Sequence, residues 1–233
     1  MRPLATKPPS WAKQAWLIAD KDFAIELATK EIVVTSGFFA VLVGCMASSA
    51  FALEGEGAVA VAPGVIWIAL AFSAVLAISR AWQREREDNA ILGILVLPVA
   101  RSAIFAGKAL TLAVFIAIVE LLIVPLAALF FHFDLARVAC GLLLLSAAAI
   151  PGVAASGTLF GAMTVRTRAR DLVLASVLFP LMAPILLAAV AGTRELFGGA
   201  SVGELADYVM LMGVFDFVFW AGGLGLFESL MEG

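Results

Sequence analysis

Two carboxylic acids lie deep within apolar runs. Glu120 lies in an apolar run from about residue 109 to 131, and Asp216 in another from about 205 to 230. An ionised carboxylate costs roughly 3 kcal/mol at the centre of a bilayer, so each must face a helix interface or a cavity. Glu120 reads equally as part of a substrate path or helix switch and as a hydrogen-bonded structural acid. Asp216 reads as structural. The densest charge lies elsewhere, in Arg80-Ala-Trp-Gln-Arg-Glu-Arg-Glu-Asp-Asn89. An apolar run, Ala90 to Pro98, follows it and is too short to span a membrane. Arg84, Glu85, Arg86 and Glu87 suit charge-assisted docking on another protein, with Ile91, Leu92 and Leu95 filling a groove. The plain alternative is a solvated loop.

Catalytic chemistry is hard to assemble from what remains. The single histidine, His132, sits in a short loop among phenylalanines, with no His–Ser–Asp or metal cluster to be built around it. Cys45 and Cys140 are isolated in apolar runs, with no C-x-x-C pair. No phosphate-binding G-x-x-x-x-G-K-[ST] loop occurs, so any ATP is handled by a partner. The expectation is no catalytic, metal or cofactor site in this chain. Residues 152–161 carry Gly152, Ser156, Gly157 and Gly161 at four-residue spacings that let helices approach closely. Pro180 and Pro184 mark a second packing region.

The elements that hold these residues follow from composition. Hydrophobic residues make up 63% of the 233 positions and charged residues 14%, against about 45–50% and about 25% in soluble domains. Lipid is the natural solvent for that excess. Apolar runs of about 20 residues without period-two alternation select helices over a barrel. Six runs stand out: Ile32–Leu53, Ala58–Ser79, Ala109–Phe131, Val138–Met163, Leu172–Gly192 and Leu205–Leu230. Prolines in the fifth and Gly222, Gly223 and Gly225 in the sixth leave room for these two to be shorter or broken.

Orientation follows from the basic residues. With six spans, one side receives Arg2, Lys7, Lys13, Lys21, Lys30, Arg80, Arg84, Arg86, Arg101, Lys108, Arg166, Arg168 and Arg170, and the other only Arg137 and Arg194. The positive-inside rule then puts both termini in the cytoplasm. The net charge of -3 says little, because membrane charge is read by location. Residues 11–31 read as an amphipathic interfacial helix with Ala12, Trp16, Ala19, Phe23 and Leu27 on one face. The alternative is a helix packed on a soluble partner. Early charges and no early apolar core argue against a cleavable signal peptide.

Two stretches carry a family resemblance. The first is Ala62-Pro-Gly-Val-Ile-Trp-Ile-Ala-Leu-Ala-Phe-Ser73 running through Arg80 and the charged loop to Leu95-Val-Leu-Pro98 and Lys108. The second runs from Pro151-Gly-Val through Gly161 and Arg166–Arg170 to Leu178-Phe-Pro-Leu-Met-Ala-Pro184. Over roughly residues 15–225 the chain resembles the haem exporter protein B family, the B-subunit permease of the cytochrome c maturation system. The polar Met1–Ser10 tail and the Glu228–Gly233 end without basic residues depart from it. The resemblance implies one all-α integral membrane permease domain over residues 1–233, of the six-helix ABC-2-like fold. It implies an interfacial helix at 11–31 and a cytoplasmic coupling loop at 80–108 with a coupling helix between spans two and three. It implies an ABC ATPase subunit, the C and D membrane subunits and the periplasmic haem chaperone as partners, in a bacterial inner membrane. Haem would be handled by the complex, and no nucleic acid is involved. The competing readings are an ABC-2-type exporter of another substrate, such as a lipid or drug, and a membrane scaffold without an ATPase.

Overall fold

The computed structural model describes residues 9–51, 56–87, 98–164 and 170–232. The elements are α1 (Trp11–Thr29), α2 (Glu31–Phe51), α3 (Glu56–Glu87), α4 (Arg101–Phe131), α5 (Leu135–Thr164), α6 (Arg170–Phe197), a 3-10 turn (Val202–Leu205) and α7 (Ala206–Glu232). Six of them, α2 to α7, are long and apolar enough to cross a membrane. The chain is an all-α protein with six membrane-spanning helices.

Hydropathy located the spans well, but the helices outrun it. The segment 80–108 is helical at both ends, up to Glu87 and from Arg101. Charge ends a membrane span without ending a helix, because Arg, Glu, Gln and Ala are good helix formers. At 1.5 Å per residue α3 is about 48 Å long, against about 30 Å of hydrocarbon, so its charged end projects beyond the bilayer core. The fifth and sixth spans are not broken. Helix α6 passes through Pro180 and Pro184, and α7 passes through its glycines. Pro63, Pro125 and Pro151 are likewise inside helices. Neighbouring helices in a bundle can satisfy the backbone groups that a proline frees.

The centre of the bundle is α3 and α5, whose span windows are 67% and 61% buried, while those of α2 and α7 are 22% and 11% buried. Helix α5 packs on α3, α4, α6 and α7. Its glycines explain how. A Cβ at Gly157 would collide with Ile78 of α3, and one at Gly161 with the Trp82 indole. One at Gly152 would collide with Asp216 of α7 and lie 2.9 Å from Ile185 of α6. Gly157 and Gly161 thus admit α3 on one side of α5, and Gly152 admits α6 and α7 on another. Pro180 is exposed and Pro184 half-buried. Trp67 is buried and donates to Thr193 Oγ1 at 2.8 Å, joining α3 to α6.

Helix α1 lies along α4 by a different face from the one its apolar spacing marks. Ala19 is buried and Phe23 meets Phe115 edge-on at 5.5 Å, but Ala12, Trp16 and Leu27 are exposed. The docked side runs through Gln14, Ala15, Ile18, Ala19 and Glu26. Its polar members find partners. The Gln14 amide accepts from Ala100 N at 2.8 Å and donates to Pro9 O at 2.7 Å. Glu26 accepts from Val33 N at 2.9 Å. Gly107 of α4 makes the approach possible, since a Cβ there would lie 2.5 Å from the Ala15 carbonyl oxygen.

Candidate functional site

Where α3 leaves the bundle and α4 enters it, four charged side chains meet. Lys108 Nζ lies 2.7 Å from Glu85 Oε1 and 3.2 Å from Asp22 Oδ2. Lys21 Nζ lies 2.8 Å from Glu85 Oε1 and 2.8 Å from Asp22 Oδ1. Lys108 also sits 5.2 Å from the centroid of the Trp82 ring. Two cations and two anions from α1, α3 and α4 form a quartet with no net charge. Glu85 and Lys108 are buried, so their burial cost is offset only while the geometry holds.

The electrostatics agree with the distances. Burial alone would raise the Glu85 carboxyl, but Lys108 and Lys21 outweigh it and hold the group below its usual range. Burial alone would lower Lys21, but Asp22 and Glu85 outweigh it and hold the ammonium above its usual value. Further contacts brace the same corner. Trp11 Nε1 donates to Ser102 Oγ at 2.9 Å. Arg80 pairs with Glu31 at 3.2 Å, a half-open contact worth little.

This placement corrects one docking assignment. Glu85 is 4% exposed and turned inward, so it presents nothing to a partner. Its neighbours Arg84, Arg86 and Glu87 belong to the last turns of α3, and their side chains lie outside the described ones. Ile91, Leu92 and Leu95 lie outside the described residues. The quartet holds the two helix ends that flank them.

The two intramembrane acids sit apart from the quartet. Glu120 Oε1 accepts from Ser146 Oγ at 2.6 Å and is buried. Ser146 Oγ also lies 2.7 Å from the Leu142 carbonyl oxygen, one turn back. Both residues line a largely apolar groove of about 550 Å³ between α4 and α5. Asp216 lies against Gly152, where the missing side chain gives its carboxyl room beside the α5 backbone.

The CcmB protein family model matches residues 13–219. The chain belongs to the CcmB family. Membership makes it a membrane permease subunit of cytochrome c biogenesis and haem transport, within a Ccm ABC complex. No curated protein matches the chain. The Trp67 of the motif that opens span two has a structural job in this CcmB-family chain, as the buried donor to Thr193. Sequence reasoning missed Lys21, Asp22 and Lys108 as partners of Glu85. The one available signal was Lys108, a lysine directly before a long apolar run.

Proposed function

We propose that this CcmB-family subunit couples ATP hydrolysis by a partner chain to haem export or to release of the haem-loaded periplasmic chaperone. The observation that carries the reading is the buried quartet at the exit of α3. It fastens α1, α3 and α4 together at the point where segment 88–97 departs. Force applied to that segment would pass into three helices at once. The docking set becomes Arg84, Arg86, Glu87, Ile91, Leu92 and Leu95, without Glu85. The ATPase subunit would engage this end, and the C and D membrane subunits would complete the complex. Both termini face the cytoplasm of a bacterial inner membrane in this reading.

The test is reversal of Glu87 to Lys together with Arg84→Glu and Arg86→Glu. Co-purification of the ATPase is expected to fall at least about tenfold, the scale of losing one charge-assisted contact. Cytochrome c yield is expected to fall with it, while thermal stability of the chain stays unchanged. Normal assembly and normal yield would defeat the docking assignment. An exporter of another substrate predicts ATPase binding but no association with the haem-handling subunits, so mass spectrometry of the same preparation separates the two.

Topology has its own test. Cysteines placed at residues 5 and 232 are expected to be protected from an impermeant thiol reagent in intact cells and labelled after permeabilisation. Labelling of either site in intact cells would reverse the orientation.

A further inference from the structure

The end of the bundle opposite the quartet is poor in positive charge, and what it has is gathered in one place. Arg137 and Arg194 are the two Lys or Arg residues outside the basic side. Arg194 and His132 both line an open groove of about 830 Å³, with Val59, Pro63, Phe197 and Gly198 as other walls. Arg137 reaches the same corner, since a Cβ on Gly199 would lie 3.3 Å from its Nη2. Gly199 has φ 101, which suits glycine. Among the described residues neither arginine has an ion pair. Among the described residues, two nearby acids have other partners. Asp134 accepts from Ala136 N at 3.0 Å, and Glu204 closes a capping box with Ser201. Glu195 adjoins Arg194 in sequence, and successive helix residues point in different directions.

The geometry points to a binding site for the headgroup of an anionic phospholipid. The depth favours a lipid. Val59 and Pro63 lie in the first turns of α3, Arg194 lies in the last turn of α6, and His132 caps α4. All four occupy the ends of spans, where headgroups sit. The chemistry matches as well. Two guanidinium forks suit phosphate oxygens, the His132 ring can add a hydrogen bond, and Phe197 with Val59 and Pro63 offers an apolar wall to the glycerol and acyl portion. Phe197 is held in place against Phe133, with ring centroids 4.7 Å apart.

The experiment is native mass spectrometry of the full-length chain in mild detergent, titrated with phosphatidylglycerol or phosphatidylcholine. One phosphatidylglycerol is expected to bind at least about tenfold more tightly than phosphatidylcholine. Arg194→Gln should remove that site, and Arg194→Lys should restore it in part. Arg80→Gln, at the other end, should leave it intact. No preference between the lipids, or a preference that survives Arg194→Gln with Arg137→Gln, overturns the proposal. Arg194-dependent capture of an acidic peptide or a carboxylate porphyrin in place of the lipid also overturns it. Because no ATPase is present, the result is independent of the coupling reading.

Discussion

Glu85→Lys is expected to destabilise the chain by about 3–5 kcal/mol, the cost of breaking a buried ion pair and leaving charge uncompensated. The new ammonium would stand beside Lys21 and Lys108, with Asp22 as the one remaining anion of the quartet. Glu85→Gln keeps the shape and an acceptor oxygen, so its loss should be smaller. Lys21→Met should cost less still, because the Lys21 side chain is 36% exposed and water screens its charge. Thermal unfolding of the purified chain, followed by tryptophan fluorescence, checks the order. Equal stability of Glu85→Lys and the parent would remove the quartet as a structural element.

The pH dependence follows from the same contacts. The Glu85 carboxyl is held below its usual range, so its stabilisation is present at neutral pH and lost as pH falls through its lowered value. The Lys21 ammonium is held above its usual value, so its share is present at neutral pH and lost as pH rises through that raised value. The contribution of these two groups should therefore be flat around neutrality. For the same reason, failed assembly in a Glu85 variant reports collapse of the corner. Under the proposed docking, Glu87 is the position to read.

Gly161→Leu is expected to cost about 1–3 kcal/mol from overpacking. Any Cβ at Gly161 collides with the Trp82 indole, a rigid group that cannot swing a flexible tip aside. The displaced ring would also leave its place over Lys108, so strain from α5 would reach the quartet. Gly157→Ala presses on the end of Ile78, which has more freedom, and should cost less. Gly213→Ala provides the control, because nothing lies within 4 Å of the added methyl. If Gly161→Leu melts at the same temperature as Gly213→Ala, close packing of α5 on α3 does not hold this bundle together.

The span count and the family were legible in the sequence because both rest on local composition and order. A run of apolar residues about 20 long has one economical place in lipid, whatever surrounds it. The small residues at Gly152, Gly157 and Gly161 announced close packing for a similarly local reason, since only a missing side chain permits it. The partners of these glycines, Ile78, Trp82, Ile185 and Asp216, come from three other helices, and nothing in the sequence pairs them with the glycines they meet.

The same limit governs the charges. Arg84, Glu85, Arg86 and Glu87 look alike as a run, and the sequence offered all four as an outward docking edge. Successive helix residues turn by about 100°, so one of them can face the bundle while others face away. Which one does so is settled by where Lys108 and Lys21 stand, 23 and 64 residues away along the chain. The side by which α1 docks on α4 was hidden for the same reason, because Gln14 and Glu26 could be buried once Ala100 and Val33 offered partners. By itself the sequence determined which segments enter the membrane, because transfer from water to lipid is a property of each segment. The tertiary structure decided which side of each helix turns inward, because that free energy depends on the groups that meet it.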